Sequence, residues 1–380
     1  MDFQWSDSQD ELYRRALELA QRHFAGASRV WADHAFDRTH WDICAEFGLM
    51  GLCVPEAYGG LGLDALTTAR VVEAFGRGCE DTGLVFSAAA HLFAAVMPIV
   101  EYGDEALKAA LLPALARGAA IGANAITEGE AGSDAFALRT EARRDGEFYV
   151  LDGAKSYVSN GPVADEFVVY ATMNRKHGYL GITAFVVARD TPGLRLGEPL
   201  AKMGLKSSPA CSLYLEGCRV PAARRLGREG QGGAVFQASM QWERSCLFAG
   251  YVGMLERQLA QAVEYARTRR QGGKPIGKHQ AIAHRLAEMK LRLESARLLL
   301  YRACWLRDRG EPAVAEVSLA KLAISEAARL SSLDAIQIHG GIGFAADYNV
   351  EHMLRDSVPA TLFSGTSEIQ RDLIAREMGL

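Results

Sequence analysis

Apolar residues recur at three- and four-residue steps through the first third of the chain, as in Leu12, Ala16, Leu19 and Ala20, with Phe24 following after a polar step. That spacing predicts helices between about residues 6 and 115, with glycine-rich breaks at 58–62 and 76–78. From about residue 120 the period shortens toward two. The run 148–151 meets Asp152-Gly153, a favoured hairpin pair, and the chain is expected to return through 155–159. Further β-branched or aromatic runs at 167–173, 182–188 and 212–216 suit a small antiparallel sheet or barrel. After the glycine-rich stretch 227–233 the helical period resumes in long segments near 234–268, 278–308, 312–340 and 367–378. Gly310 marks the end of one of these helices and Pro312 the first turn of the next.

The order α, β, α divides the chain into a helical N-terminal domain (1–119), a middle antiparallel β domain (120–232) and a C-terminal helical bundle (233–380), an α+β fold. It excludes the alternating pattern of a doubly wound nucleotide fold, and neither a G-x-G-x-x-G nor a Walker glycine motif follows a strand. At 380 residues, 49% apolar and 23% charged, the chain buries a large core. A net charge of -4 gives no global field that would recruit nucleic acid or an anionic membrane, so a small ligand or a protein partner is expected. Seven scattered cysteines, none at a two-residue spacing, read as reduced thiols. The start Met1-Asp2-Phe3 is acidic where a signal peptide is basic, and the apolar run 92–100 is too short to span a bilayer; a soluble, cytoplasmic chain is expected.

Several segments offer chemistry. Thr127-Glu128-Gly129-Glu130-Ala131-Gly132-Ser133-Asp134 brings hydroxyls and free amides into one loop, fit to cradle an anion or polar ring, or to be an ordinary capped surface loop. In Lys155-Ser156-Tyr157-Val158-Ser159-Asn160-Gly161, an extended reading puts Tyr157 and Ser159 on one face, suited either to a flat heterocycle or to packing on a helix. The cationic, flexible stretch from Arg269 through Gly277 suits a pyrophosphate or a solvated interhelical turn. Gln337-Ile338-His339-Gly340-Gly341 is a second glycine break. Glu243 has Ser239, Met240, Cys246 and Leu247 as helical neighbours, so its carboxylate projects from a small, mostly apolar face. Burial raises a carboxyl pKa and fits it for general-base work; a buried ion pair with a distant Arg is the alternative. Adjacent Arg244 points about a quarter-turn away. His279 and His284 lie off one helical face, no His-x-x-x-His pair with a nearby acid offers a metal site, and no G-x-S-x-G elbow offers a serine nucleophile.

Taken in order, Ile126-Thr127-Glu128 through Gly132-Ser133-Asp134, Tyr157 through Gly161, Arg269 through Gly277 with His279-Gln280, Gln337 through Gly341, and Ser364-Gly365-Thr366-Ser367-Glu368 resemble the acyl-CoA dehydrogenase superfamily over essentially the whole chain. The resemblance implies a C-terminal four-helix bundle, FAD, and a homotetramer whose subunits share each cofactor site. It implies that Thr127 and Ser159 hydrogen-bond the flavin ring, that Tyr157 packs on it where the family usually has Trp, and that Ser133 sits at the phosphate end. Arg269, Gln271, Gln337 and Gly341 would hold the adenosine and pyrophosphate of a neighbouring subunit's flavin, with Thr366 and Glu368 on the adenine side. Ile126, Gly132, Ile276, His279, Gln280 and Gly340 complete the implied cofactor set. Gly272 departs from the Phe common in the family.

The larger departure concerns the base. Most members carry a catalytic Glu immediately before Gly-Thr-Ser, where this chain has Ser364; isovaleryl-CoA dehydrogenase-like members instead place their Glu before an Arg on the first long bundle helix, which Glu243-Arg244 matches. Trp242-Glu243-Arg244, Phe363 through Ser367 and the segment 289–305 look most like the prolyl-carrier-protein dehydrogenases of pyrrole biosynthesis, a similarity running from Met1-Asp2-Phe3 to Ala375-Arg376-Glu377. That group implies a prolyl-loaded peptidyl carrier protein as partner, with Glu243 as catalytic base and a pyrrole-2-carboxyl thioester as product. A short or branched-chain acyl-CoA dehydrogenase and a non-catalytic thioester-binding protein are the rival expectations. For carrier docking, Arg139, Arg143-Arg144, Arg224 and Arg225 are candidates, or are a solvated charged surface.

Overall fold

The computed structural model describes residues 4–26 and 35–380; Met1-Asp2-Phe3 therefore lies outside the described residues. The first helices are Asp7–Phe24, Arg38–Phe47 and Ala65–Gly78, followed by a helical run from Thr82 to Tyr102 and the helix Glu105–Ala116. Short polar side chains start them. Ser6 and Gln9 form a capping box, and Asp37, Asp64, Asp81 and Asp104 each accept a backbone N–H from the first turn they precede. The run Thr82–Tyr102 is longer than the apolar stretch suggested, and is long and apolar enough to cross a membrane by composition. Of its most apolar window, 94% is buried inside the protein, which makes it a central core helix.

The glycines at 76–78 do not break a helix. They form the last turn of Ala65–Gly78, where a side chain on Gly76 would collide with the backbone of Gly250 and one on Gly253 with that of Glu73. Small residues let the Ala65–Gly78 and Ala249–Thr268 helices touch backbone to backbone. A buried cluster closes the same seam: Arg297 pairs with Glu73 at 2.8 Å, and Tyr301 donates to the other Glu73 oxygen at 2.7 Å.

The middle segment forms an eight-stranded sheet: β1 (Gly122–Ala125), β2 (Glu141–Asp145), β3 (Phe148–Ser159), β4 (Glu166–Thr172), β5 (Ile182–Ala188), β6 (Leu194–Leu196), β7 (Ala210–Pro221) and β8 (Arg225–Leu226). Its order is β6-β7-β3-β2-β4-β5-β8, mainly antiparallel, with β1 running parallel to β4. The hairpin expected at Asp152-Gly153 is instead formed one Asp-Gly pair earlier. Gly146, at φ +61°, turns β2 into β3, and β3 continues unbroken to Ser159. Asp152-Gly153 marks a register shift against β7, where Asp152 accepts the N–H of Gly217. A hydrogen-bonding partner across the sheet decided between two equally good turn signals.

Four long helical segments make the C-terminal bundle: Gly232–Trp242 continuing to Ala249–Thr268, then Gln280–Asp308, Val314–His339 and Ser367–Glu377. Gly310 is left-handed at φ +67° after the second, as expected, whereas Pro312 precedes the third helix instead of opening it. The first segment is not one regular helix. A π-helical turn, Glu243–Leu247, interrupts it at the residue singled out by sequence. All seven cysteines are free and buried.

Candidate active site

Glu243 is the first residue of the π turn and is only 8% exposed. Widening one helical turn shifts the register of the side chains that follow, a device common at functional sites. Two hydroxyls hold its carboxylate: Ser364 donates to Oε2 at 2.8 Å and Ser239, one turn earlier, donates to Oε1 at 3.2 Å. Asn124 of β1 stands near enough for its side chain to favour the charged carboxylate. Burial pushes the Glu243 carboxyl above the ordinary carboxylate range, while hydrogen bonds from Ser364, Ser239 and Asn124 and the charge of Arg244 pull it back. The net direction is upward, as suits a base that must return its proton.

Arg244 makes no ion pair with Glu243 among the described residues. Its Nε donates instead to the carbonyl of Ser364 at 2.8 Å, and Gln370 donates to the carbonyls of Ser364 and Gly365 at 3.2 and 2.9 Å. These bonds hold Ser364 at φ +54°, a left-handed conformation uncommon for a residue with a side chain, followed by Gly365 at φ +87°. Consecutive residues of one helix thus divide the work: Glu243 offers a carboxylate, and Arg244 fixes the loop whose hydroxyl steadies that carboxylate. Phe363 packs against Phe86, Phe248 and Tyr251, with ring centres 4.7, 5.3 and 6.3 Å away, and walls the site with hydrocarbon.

The expected flavin-edge residues gather at the end of β3. Ser156 donates its N–H to the Thr127 carbonyl at 2.8 Å, which sets the Ile126–Thr127 segment beside Tyr157 and Ser159. Tyr157 is left-handed at φ +57° within a bulge between Lys155 and Val158, so a bulge places Tyr157 and Ser159, not the plain alternation expected of a strand. Tyr157 is 71% exposed, and the hydroxyls of Thr127 and Ser159 have no hydrogen-bond partner among the described residues. Gly132 and Ser133 are exposed in the loop beyond, and open space surrounds the α-carbon of Gly132.

Beneath this edge lies a pair that sequence reading did not connect. Lys155 is fully buried and bonds Glu128 at 2.7 Å and the Ile126 carbonyl at 3.1 Å. Glu128 also accepts from the backbone N–H groups of Arg139 and Thr140 and from the Thr140 hydroxyl. Burial would raise the Glu128 carboxyl, but the Lys155 charge and these donors outweigh it and hold it below its ordinary value. Burial brings the Lys155 ammonium down to about 8, so it remains protonated at neutral pH.

The residues implied for adenosine and pyrophosphate form separate surface groups. Arg269 and Gln271 lie on a two-stranded ribbon, β9 (Arg270–Gln271) and β10 (Lys274–Pro275), turned by Gly272 and Gly273. Arg269 accepts the N–H of Ile276, and the His279 ring meets the Gln271 carbonyl at 3.2 Å. Gln280 begins the next helix, and Gln337, Gly340 and Gly341 are exposed at the end of another. Thr366 caps Ser367–Glu377 by accepting from Ile369, and Glu368 is exposed in its first turn. Among the described residues, no hydrogen bond or ion pair joins the Arg269–Gln280 or Gln337–Gly341 groups to the flavin edge or to Glu243. A cavity of about 490 Å³ lined by Tyr265, Thr268, His339 and Tyr348 borders these surface groups, away from Glu243.

Most of the arginines considered for carrier docking are neutralised. Arg224 pairs with Glu166 at 2.8 Å, Arg144 with Glu229 at 3.3 Å and Arg139 with Glu130 at 2.7 Å, and Arg225 donates to Tyr149.

Family models for the acyl-CoA dehydrogenase N-terminal, middle and C-terminal domains match residues 6–119, 123–218 and 230–379. The chain is 52% identical over 382 residues to the L-prolyl-(peptidyl-carrier protein) dehydrogenase of Pseudomonas fluorescens, covering 100% of both chains. The enzyme of the same name from Serratia sp. is 41% identical over 381 residues, covering 100% of this chain and 99% of that one. A solved structure, PigA with FAD and proline, superposes with a TM-score of 0.98 at 41% identity and full coverage of both chains.

Proposed function

The chain belongs to the acyl-CoA dehydrogenase family, and from that premise we propose that it is an FAD-dependent dehydrogenase of an L-prolyl thioester carried on a peptidyl carrier protein. Full-length similarity to two enzymes named for that reaction, and to a structure holding FAD and proline, supports the substrate class. The observation that carries the chemistry is the buried, hydroxyl-held carboxylate of Glu243.

The residues present fit a flavin. Hydroxyls on Thr127 and Ser159 that have no hydrogen-bond partner among the described residues, and a largely exposed Tyr157, offer polar contacts and a stacking face at one edge. Ile126, Gly132 and Ser133 would continue that edge toward the phosphates. Arg269, Gln271, Ile276, His279, Gln280, Gln337, Gly340, Gly341, Thr366 and Glu368 would serve the adenosine end across a subunit boundary. When bound, FAD supplies a two-electron acceptor for hydride.

A thioester acidifies its α-carbon, yet the carbanion is too unstable to form free, so proton removal must accompany loss of hydride from the neighbouring ring atom. Glu243 takes the α-proton, and Ser364 and Ser239 keep its carboxylate ionised and aimed until then. Each round removes two hydrogens, and a second round takes the ring to pyrrole, with an external acceptor receiving the electrons. Homotetramer formation is part of the same reading: Leu291 and Leu298, seven residues apart on Gln280–Asp308, and Phe344 leave apolar surface uncovered on the bundle.

Anaerobic mixing of the yellow enzyme with prolyl-loaded carrier protein, and separately with isovaleryl-CoA, tests the reading. Bleaching by the carrier-bound substrate and a mass loss of four hydrogens are expected. Bleaching by isovaleryl-CoA alone would make the protein an acyl-CoA dehydrogenase, and no bleaching by either a non-catalytic thioester binder.

A further inference from the structure

Asn124 is a polar residue on the short strand Gly122-Ala123-Asn124-Ala125, whose other members are Gly and Ala. It pairs in parallel register with Val168 of β4. Paired residues on adjacent strands share a face, and the face repeats every second residue, so Tyr170 stands beside Asn124 on the same side of the sheet. That side meets the helix leading into Glu243, with the Phe236 ring 5.7 Å from the Tyr170 ring. Asn124 lies close enough to lower the Glu243 carboxyl, and Tyr170 feels the charge of the same carboxylate.

Two polar atoms on this face are buried yet have no hydrogen-bond partner among the described residues: Oδ1 of Asn124 and the hydroxyl of fully buried Tyr170. Buried acceptors are ordinarily satisfied, because leaving one bare forfeits its hydration without return. Beside a catalytic carboxylate, such an atom points to a substrate that brings a donor.

The donor follows from the chemistry of the carbon being deprotonated. In a prolyl thioester the ring nitrogen is bonded to the α-carbon itself, so a carboxylate placed on the α-hydrogen has the N–H within a few ångströms. An ordinary acyl chain has only C–H groups there. Resting on the prolyl-thioester reading above, we propose that Asn124 is a specificity-determining residue whose side-chain oxygen accepts a hydrogen bond from the pyrrolidine nitrogen. An acyl thioester that lacks the nitrogen leaves this oxygen unpaired, which is how polar sites reject apolar isosteres.

The test compares carrier protein loaded with prolyl and with cyclopentanecarbonyl, the same ring with CH2 in place of NH. Anaerobic flavin bleaching is followed in the holoenzyme and in Asn124→Leu, with Asn124→Ala as a second truncation should the leucine variant not fold. Wild type is expected to favour the prolyl substrate. In either variant the prolyl rate should fall far more than the cyclopentanecarbonyl rate, lowering their ratio by about 10²-fold. An unchanged ratio, or equal loss on both substrates with a common shift of the acid limb of the pH profile, overturns the inference and leaves the prolyl activity standing. Failure of the wild type to oxidise the prolyl substrate removes the functional reading and this inference together.

Discussion

Ser364 donates a hydrogen bond to Glu243 across 2.8 Å, joining a left-handed loop near the C-terminus to the π turn of the first bundle helix. Ser364, the residue that the family resemblance would have had as a carboxylate, is the donor that steadies a carboxylate arriving from another helix.

Ser364→Ala removes the largest of the forces holding Glu243 ionised against burial. The carboxyl then rises further, so the acid limb of the rate profile moves to higher pH. The rate at neutral pH should fall about 10-fold, in keeping with the ~1.5–3 kcal/mol of a hydrogen bond to a charged group, and recover partly as pH rises. Stopped-flow flavin reduction between pH 6 and 9 measures it. A profile superposable on wild type would show that the hydroxyl does not act through Glu243.

Glu243→Gln should lower flavin reduction by roughly 10²- to 10⁴-fold while the oxidised flavin spectrum persists. It also has a stability signature. A carboxyl held above its unfolded value favours folding below that value, near 4.5, and this contribution is lost as pH rises through the folded-state value. The neutral glutamine avoids the loss, so the variant should melt above wild type at pH 8, with the difference shrinking toward pH 4. Differential scanning calorimetry across that range decides it; a variant less stable at pH 8 than at pH 4 relative to wild type contradicts the assigned burial.

Lys155→Met leaves Glu128 buried with its principal counter-charge removed. Breaking such a pair costs about 3–5 kcal/mol. Because the same lysine ties the Ile126 carbonyl, flavin occupancy after purification should fall as well. Urea unfolding followed with flavin-to-protein absorbance ratio checks both, and wild-type values for each would reduce the pair to an incidental contact.

Leu298→Asp places a charge on the exposed apolar face of Gln280–Asp308. If this face joins subunits, the variant should sediment as smaller species and lose FAD in parallel, since the Arg269 and Gln337 groups serve a neighbour's cofactor in this reading. Light scattering coupled to size exclusion reports the mass. An intact tetramer that retains flavin would move the interface elsewhere.

Much of the architecture was legible along the chain because helical and strand periods are local. Leu12, Ala16 and Ala20 repeat within one helix, and the segments 167–173 and 182–188 became neighbouring strands almost residue for residue. The apolar flank of Glu243 likewise signalled its burial. Local signals failed where two competed: Asp145-Gly146 and Asp152-Gly153 are equally good turns, and pairing with β7 made only the first a hairpin. Glycines at 76 and 78 read as breaks because the helices they touch, at Gly250 and at 17–21, are distant in sequence. The hydroxyl of Ser364, the amide of Asn124 and the ammonium of Lys155 acquire their roles from partners that folding brings from 121, 119 and 27 positions away. Hydrogen bonds act over about 3 Å of space and carry no trace in residue order. The sequence by itself determined which elements form and which residue types are on hand; only the tertiary structure decided which polar atoms share one buried volume, because burial and proximity are properties of the packed chain.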